Sequence, residues 1–138
     1  MKKNKPLTIM LITLVVITLV AAIALVMVLN MGKSDDKNPS IDQIVKHSVE
    51  VPDITTNLAE DGFIKISFMI QTDSKSAKKE LEKRNFQVKN IIITELSQRK
   101  ASQFKSFENL ENILKEKINS IMQDGKIERV YVTSSIIQ

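Results

Sequence analysis

An uncharged, strongly apolar run near the start of the chain limits what this protein can be. Residues 7–29 hold six leucines, four isoleucines and five valines, and no charged residue lies between Pro6 and Gly32. As a helix with about 1.5 Å of rise per residue, the run spans about 34 Å, and the hydrocarbon core of a bilayer is about 30 Å thick. We therefore predict a transmembrane helix over residues 7–29, with anchoring side chains that include Leu7, Leu14, Val20 and Leu29.

A cleaved signal peptide is the competing interpretation of this run. Its apolar region would be about 7–15 residues long and would lead into a small-residue cleavage site. The run here is longer, and its Ala-x-Ala sequence, Ala22 to Ala24, lies inside it and is followed by more apolar residues. The sequence favours an uncleaved anchor, and an enzyme or binding protein released by cleavage stays as an alternative.

Charge indicates how the helix is oriented. Lys2, Lys3 and Lys5 precede the run, whereas lysines and aspartates are mixed in the segment that follows it. Because positive residues stay on the cytoplasmic side, we expect the N-terminus inside the cell and the rest of the chain outside the cell membrane. The net charge is +4, but the chain beyond these lysines has 17 basic and 16 acidic residues. Such a balance argues against nucleic-acid binding.

Composition divides the chain into four segments. We predict a basic cytoplasmic tail over residues 1–6, the transmembrane helix over 7–29, a polar linker over 30–48 and a folded outer domain over 49–138. Gly32 and Pro39 act as breakers in the linker. The chain has no cysteine, so burial of apolar surface must hold the outer domain together, and about 90 residues are enough for a small core.

The clearest element of the outer domain is a strand. In "FIKISFMIQT" the residues Ile64, Ile66 and Phe68 alternate with polar residues, which is the pattern of a half-buried strand. The preceding segment "VEVPDITTNL" contains one proline and predicts an edge strand paired with the first.

A helix is predicted next. Asp73 and Ser74 can cap it, and an apolar stripe continues to Ser97, with an interruption near Asn85. The β-branched residues at 91–93 make a strand the alternative for the end of this segment.

A second helix and a last strand complete the outer domain. Ser106 can cap the helix, and Asp124-Gly125 is expected to end it. The strand covers residues 127–137 and puts Val130, Val132 and Ile136 on one face. The predicted class is therefore α+β, with a core that includes Ile64, Ile66, Phe68, Leu110, Leu114, Val130 and Val132.

The chain offers few groups for chemistry. It has one histidine, His47 in the predicted linker, and no cysteine, so a His/Cys zinc set is excluded. The three glycines are far apart, Ser134-Ser135 has no histidine nearby in the sequence to act as a base, and Asp35-Asp36 is typical of solvated charge. The basic string "KSAKKELEKR" contains acidic residues and favours a solvated helix face over an anion-binding patch. We predict that the protein is not an enzyme and has no cofactor, no metal and no small-molecule substrate.

The order of these features resembles the FliL family of flagellar basal body-associated proteins. The similarity lies in the basic tail and apolar span, and then in three segments of the outer domain. These are "TTNLAEDGFIKISFMIQ", "KKELEKRNFQVKNIIITELSQRKASQF" and "LKEKINSIMQDGKIERVYVTSSIIQ". No segment is specific by itself, but together they cover most of the chain in the family's order.

The resemblance implies a fold similar to the stomatin-type (SPFH) domain. It also implies a location at the flagellar basal body, association with the stator of the flagellar motor, support of motility under load, and a ring-shaped homo-oligomer around the stator. The alternative is a general stomatin-like scaffold that organises other membrane proteins.

Overall fold

The structure, a computed structural model, describes residues 4–31 and 38–138. The chain divides into two units, Met1–Asn38 and Pro39–Gln138. The first unit contains one helix, α1 (Lys5–Met31). The elements of the second unit are, in order, α2 (Ile41–Lys46), β1 (Ser48–Asn57), β2 (Phe63–Thr72), α3 (Lys75–Lys83), α4 (Asn85–Ser97), a short 3-10 helix (Ala101–Lys105), α5 (Glu108–Asn119) and β3 (Ile127–Ile137).

The second unit is an α+β domain built on one antiparallel sheet in the order β1-β2-β3. The central strand β2 buries Ile64, Ile66, Phe68 and Ile70 completely. These side chains share one sheet face because alternate residues of a strand point the same way. Helices α3, α4 and α5 supply the apolar residues of the same core: Ala77, Leu81, Val88, Ile92, Leu96, Leu110, Leu114 and Ile118.

The core residues expected from the sequence lie on both layers. Leu110 and Leu114 of α5 are almost fully buried, as is Val130 of β3. Val132 is only partly buried and packs against the edge of the core. The edge position of its strand explains the difference, since β3 has a neighbour on one side only.

A short helix occupies part of the range that we interpreted as linker. Helix α2 begins after Ser40, whose hydroxyl accepts a hydrogen bond from the Gln43 N–H, while the Gln43 side chain accepts one from the Ser40 N–H, each at 3.3 Å. This reciprocal capping box is a helix-start signal that the polar composition of the segment obscured. The helix is fixed to the end of β2, because Thr72 donates to the His47 carbonyl through both its N–H and its hydroxyl.

The predicted edge strand β1 pairs with β2 as expected, and its proline lies at an irregularity. Val51 pairs with Phe68 but Ile54 pairs with Ile66, so β1 contains one more residue than β2 in this interval. Such a β-bulge on an edge strand is a usual position for a proline such as Pro52, which has no N–H to donate.

A second bulge overturns one prediction for β3. Ser134 pairs with Ser67, but Val132 pairs with Phe68, so Thr133 is the extra residue. One inserted residue reverses which face the following side chains occupy. Ile136, which pairs with Lys65, therefore lies on the opposite face from Val130 and Val132, and it is 51% exposed. The prediction that all three share a face was wrong.

The first predicted helix is confirmed, together with its interruption. The Ser74 hydroxyl caps α3 by accepting from the Ala77 N–H at 3.2 Å. Arg84 leaves helical geometry between α3 and α4. Residues 91–93 are helical, which excludes the strand alternative. Tertiary packing explains the outcome, because Ile92 is fully buried against the sheet and so overrides its β propensity.

The second predicted helix is shorter than expected. Helix α5 ends at Asn119, and not at Asp124-Gly125. Asn119 stops it by pairing with the start of β3: its side chain accepts from the Ile127 N–H at 2.7 Å and donates to the Ile127 carbonyl at 3.1 Å. Gly125 lies in the turn that follows, with φ of 93°, and a Cβ there would lie 2.8 Å from the Cβ of Ala77.

We expect Phe68→Ala to lower the free energy of unfolding of the outer domain by about 3–5 kcal/mol, the usual cost of deleting a buried phenylalanine. Phe68 is completely buried at the centre of the sheet. Phe86→Ala is the matched control, because Phe86 is 72% exposed and its loss should change stability by less than about 0.5 kcal/mol. Denaturant titration of both variants checks this, and equal stabilities would contradict the packing described.

Candidate functional site

Helix α1 has the surface of a membrane anchor. Its 27 residues would span about 40 Å, and the range Lys5–Leu29 is long and apolar enough to cross a bilayer. The hydroxyls of Thr13 and Thr18 donate to the carbonyls of Ile9 and Leu14, each at 2.8 Å. Both hydroxyl protons are therefore hydrogen-bonded within the helix, which lowers the cost of placing these threonines in the hydrocarbon core of a bilayer.

The anchoring residues named from the sequence all lie on this helix. Leu7, Leu14, Val20 and Leu29 are each at least 60% exposed. All four side chains therefore lie on the helix surface, where the lipid of a bilayer would contact them. Lys5 begins the helix. Lys2, Lys3 and the acidic pair Asp35-Asp36 lie outside the described residues.

A buried carboxylate joins two helices of the outer domain. Glu95 of α4 is 7% exposed. It pairs with Lys117 of α5 and with Arg99, whose Nη2 lies 3.5 Å from Glu95 Oε2. Arg99 in turn donates to the side-chain oxygen of Asn109 at 3.3 Å. A buried carboxylate with these partners is satisfied, and we assign it to holding α4 against α5.

A second carboxylate holds the turn between α5 and β3. Glu80 of α3 accepts hydrogen bonds from the backbone N–H groups of Asp124 at 2.6 Å and Gln123 at 3.0 Å, and from Arg84 Nε at 2.7 Å. The Asp124 N–H is the main reason that the pKa of Glu80 lies below its ordinary value of 4.5, and partial desolvation opposes the shift. Sequence reasoning missed this contact, since the partners lie more than 40 residues apart.

A surface groove lies beside Glu80, with a volume of about 510 Å³. Lys79, Lys83 and Phe86 contribute to its walls together with Glu80 and Arg84. Glu80 and Arg84 are already paired with one another, and Glu80 also accepts from the backbone. No histidine or cysteine lines the groove.

Nothing among the described residues forms a metal site, because no three His, Cys, Asp or Glu side chains come together there. His47 ends α2. Ser134 and Ser135 are exposed on β3. Lys78, from the basic string, donates to the Lys46 carbonyl at 3.0 Å, so part of that string ties α3 to α2.

The sheet face that points away from the helices carries hydrogen bonds between side chains of β2 and β3. Tyr131 donates to the Gln71 side chain at 3.0 Å, and the hydroxyls of Ser67 and Thr133 lie 3.1 Å apart. At the other end of this face Phe63 and Ile136 are exposed by 40% and 51%. The exposed apolar area therefore lies where β3 ends.

The outer edge of β3 is exposed toward the end of the strand. Among the described residues, this edge has a side-chain partner at Val132, whose N–H donates to Glu111 of α5 at 2.9 Å. Residues 133–138 are all exposed, and residues 130–138 include no charged residue. Sequence reasoning predicted the strand over residues 127–137 but could not locate its open edge, because the bulge at Thr133 decides which groups face outward.

Comparison with known proteins identifies close similarity over most of the chain. The family model described as flagellar basal body-associated protein FliL matches residues 48–138, which is the range from β1 to the last residue. The flagellar protein FliL of Bacillus subtilis (strain 168) is 46% identical over 112 residues, which are 78% of this chain and 80% of that protein.

We expect Glu80→Gln to lower the melting temperature of the outer domain at pH 7, with the difference shrinking as the pH falls below about 4.5. A carboxyl whose pKa is lowered on folding contributes stability above its unfolded pKa, and this contribution is lost as the pH falls through the folded value. Glu82→Gln, on an exposed position of the same helix, is the control. Thermal melts of the full chain in detergent measure both, and a pH-independent difference for Glu80→Gln would contradict the assignment.

Proposed function

We propose a function for this chain on the premise that it belongs to the FliL family of flagellar basal body-associated proteins. The protein supports the stator of the flagellar motor by direct contact and so aids motility under load. One observation carries the proposal: the described residues consist of an apolar helix and a small domain whose carboxylates Glu95 and Glu80 are engaged in structural contacts. A molecule of this kind acts through its surfaces.

The anchor determines where such contacts occur. We place α1 across the cell membrane, with Lys2, Lys3 and Lys5 on the cytoplasmic side and the outer domain outside. The apolar surface of α1 and the balanced charge of the rest of the chain support this orientation. Confinement to the membrane raises the effective concentration of the domain toward other anchored proteins, and a stator is also a membrane complex.

The tether limits the distance over which the domain can act. Helix α1 ends at Met31 and α2 begins at Ile41. Even fully extended, the connection spans at most about 36 Å. The start of α2 therefore lies no more than about 36 Å from the end of α1, which keeps the domain within reach of other membrane-anchored proteins.

The finer parts of the proposal rest on the family resemblance. We propose that the outer domain has a stomatin-type (SPFH) fold and that copies form a homo-oligomeric ring around the stator. The α+β arrangement and the open edge of β3 support these proposals, since a domain with an uncovered edge has a surface on which another chain can assemble.

We expect deletion of the gene to leave flagellar filaments in place and to weaken movement, most clearly in viscous medium, where the load on the motor is high. Reintroduction of the full chain should restore movement. Loss of filaments would instead indicate a role in assembly. Unchanged motility under load would favour the general scaffold.

Single cysteines provide the direct test of contact, because the chain has no cysteine of its own. Lys79, Glu116 and Ile136 are exposed positions on α3, α5 and β3. Labelling of each variant in intact cells with a membrane-impermeant maleimide is the control for outer location. Crosslinks from at least one face to the outer segment of the stator are expected, and their absence from all three would contradict the proposed partner.

A further inference from the structure

The backbone of β3 directs some of its hydrogen-bonding groups away from the sheet. Gln138 and Phe63 exchange two backbone hydrogen bonds, at 2.8 and 3.0 Å. Residues of an antiparallel strand alternate between facing the partner strand and facing away from it. Since Ile136 pairs with Lys65 and Ser134 with Ser67, the N–H and C=O groups of Ser135 and Ile137 face outward.

The two edges of the sheet differ in how they are protected. The edge strand β1 contains Pro52 at its bulge and the exposed acidic residues Glu50 and Asp53. Proline, charge and bulges are the features that prevent one sheet edge from pairing with another. The edge of β3 lacks charge and proline beyond Arg129, and its bulge lies at Thr133, the first of the exposed residues 133–138, so that the strand after it is regular.

We propose that the open edge of β3 (residues 133–138) pairs with the same edge of a second copy, in antiparallel orientation about a two-fold axis at Ile136. Ser135 of each copy then lies opposite Ile137 of the other, and about four backbone hydrogen bonds form between the strands. The sheets of the two copies join into one sheet of six strands.

The composition of the edge favours a second copy over other partners. A two-fold axis brings like side chains together, so charges on this edge would repel each other, and residues 130–138 contain none. An acidic or basic partner segment would find no complementary charge. The two Ile136 side chains meet at the axis, and their present 51% exposure is reduced.

This inference deepens the proposed homo-oligomer and rests on that part of the proposed function. Identical strands pairing edge to edge give an isologous contact. Such a contact joins copies in pairs, and pairs are units from which a larger closed assembly can be built through a second surface.

Three cysteine variants of the full chain in its native membrane test the interface. Thr55, Lys65 and Ile136 form one row across the sheet, on β1, β2 and β3. The proposal places the two Ile136 residues opposite each other as a non-hydrogen-bonded pair, whose Cα atoms lie about 4.5 Å apart, within the range for a disulfide. Under mild oxidation Ile136→Cys should give a product of twice the chain mass at least about tenfold faster than Thr55→Cys or Lys65→Cys.

A second substitution shows whether backbone pairing holds the two copies together. Ser135→Pro removes an outward N–H, and Ser135→Lys keeps that N–H but adds a charge to the edge. In the Ile136→Cys background both should abolish the dimer while the melting temperature is retained. If Ser135→Pro unfolds the domain, Ser135→Lys alone decides the question.

Several results would overturn the interface. They are equal crosslinking at Thr55 or Lys65, a product whose mass is not that of two copies, and a dimer unaffected by Ser135→Lys in a folded chain. If Ile136→Cys gives no dimer but a cysteine on α3 or α5 does, the edge interface is wrong and the proposed homo-oligomer stands. If no position gives a dimer, both are wrong.

Discussion

Burial of one face of the central strand β2 is the constraint on which the outer domain depends. Ile64, Ile66, Phe68 and Ile70 are completely covered, and this requires helices on one side of the sheet and a strand on each flank of β2. The described residues include no disulfide and no metal cluster that would add to the stability of the fold. The two carboxylates that link elements, Glu95 and Glu80, act around this apolar layer by fixing the helices and the final turn.

Residue patterns were sufficient wherever a local signal agreed with burial. The alternation in β2, the Ser74 cap and a helix break, predicted near Asn85 and found at Arg84, all followed from the sequence. Three features were not. The bulge at Thr133 depends on pairing between strands, the end of α5 depends on the contact between Asn119 and Ile127, and the partners of Glu80 lie in a distant turn. Each feature depends on a contact between residues that lie apart in the sequence, and a local residue pattern does not encode such a contact.

Two of the surfaces that remain exposed once the core is formed are the side of helix α1 and the edges of the sheet. Helix α1 is apolar on all sides, which is expected of a segment surrounded by lipid. The domain engages its charged pairs in structure, blocks the β1 edge with Pro52 and acidic residues, and leaves the β3 edge open. Membership of the FliL family places such a molecule at the flagellar basal body. We propose that these surfaces contact neighbouring copies and the motor.

Residue-resolved amide hydrogen exchange of the full chain tests most directly whether the β3 edge is open in one copy and covered between copies. In dilute detergent, where copies are separate, the amides of Ser135 and Ile137 should exchange much faster than those of Ser134 and Ile136, which face β2. In bilayers at high protein density, Ser135 and Ile137 should become protected to a similar degree. Equal protection of all four amides in separate copies, or rapid exchange of Ser135 and Ile137 in both states, would contradict the account.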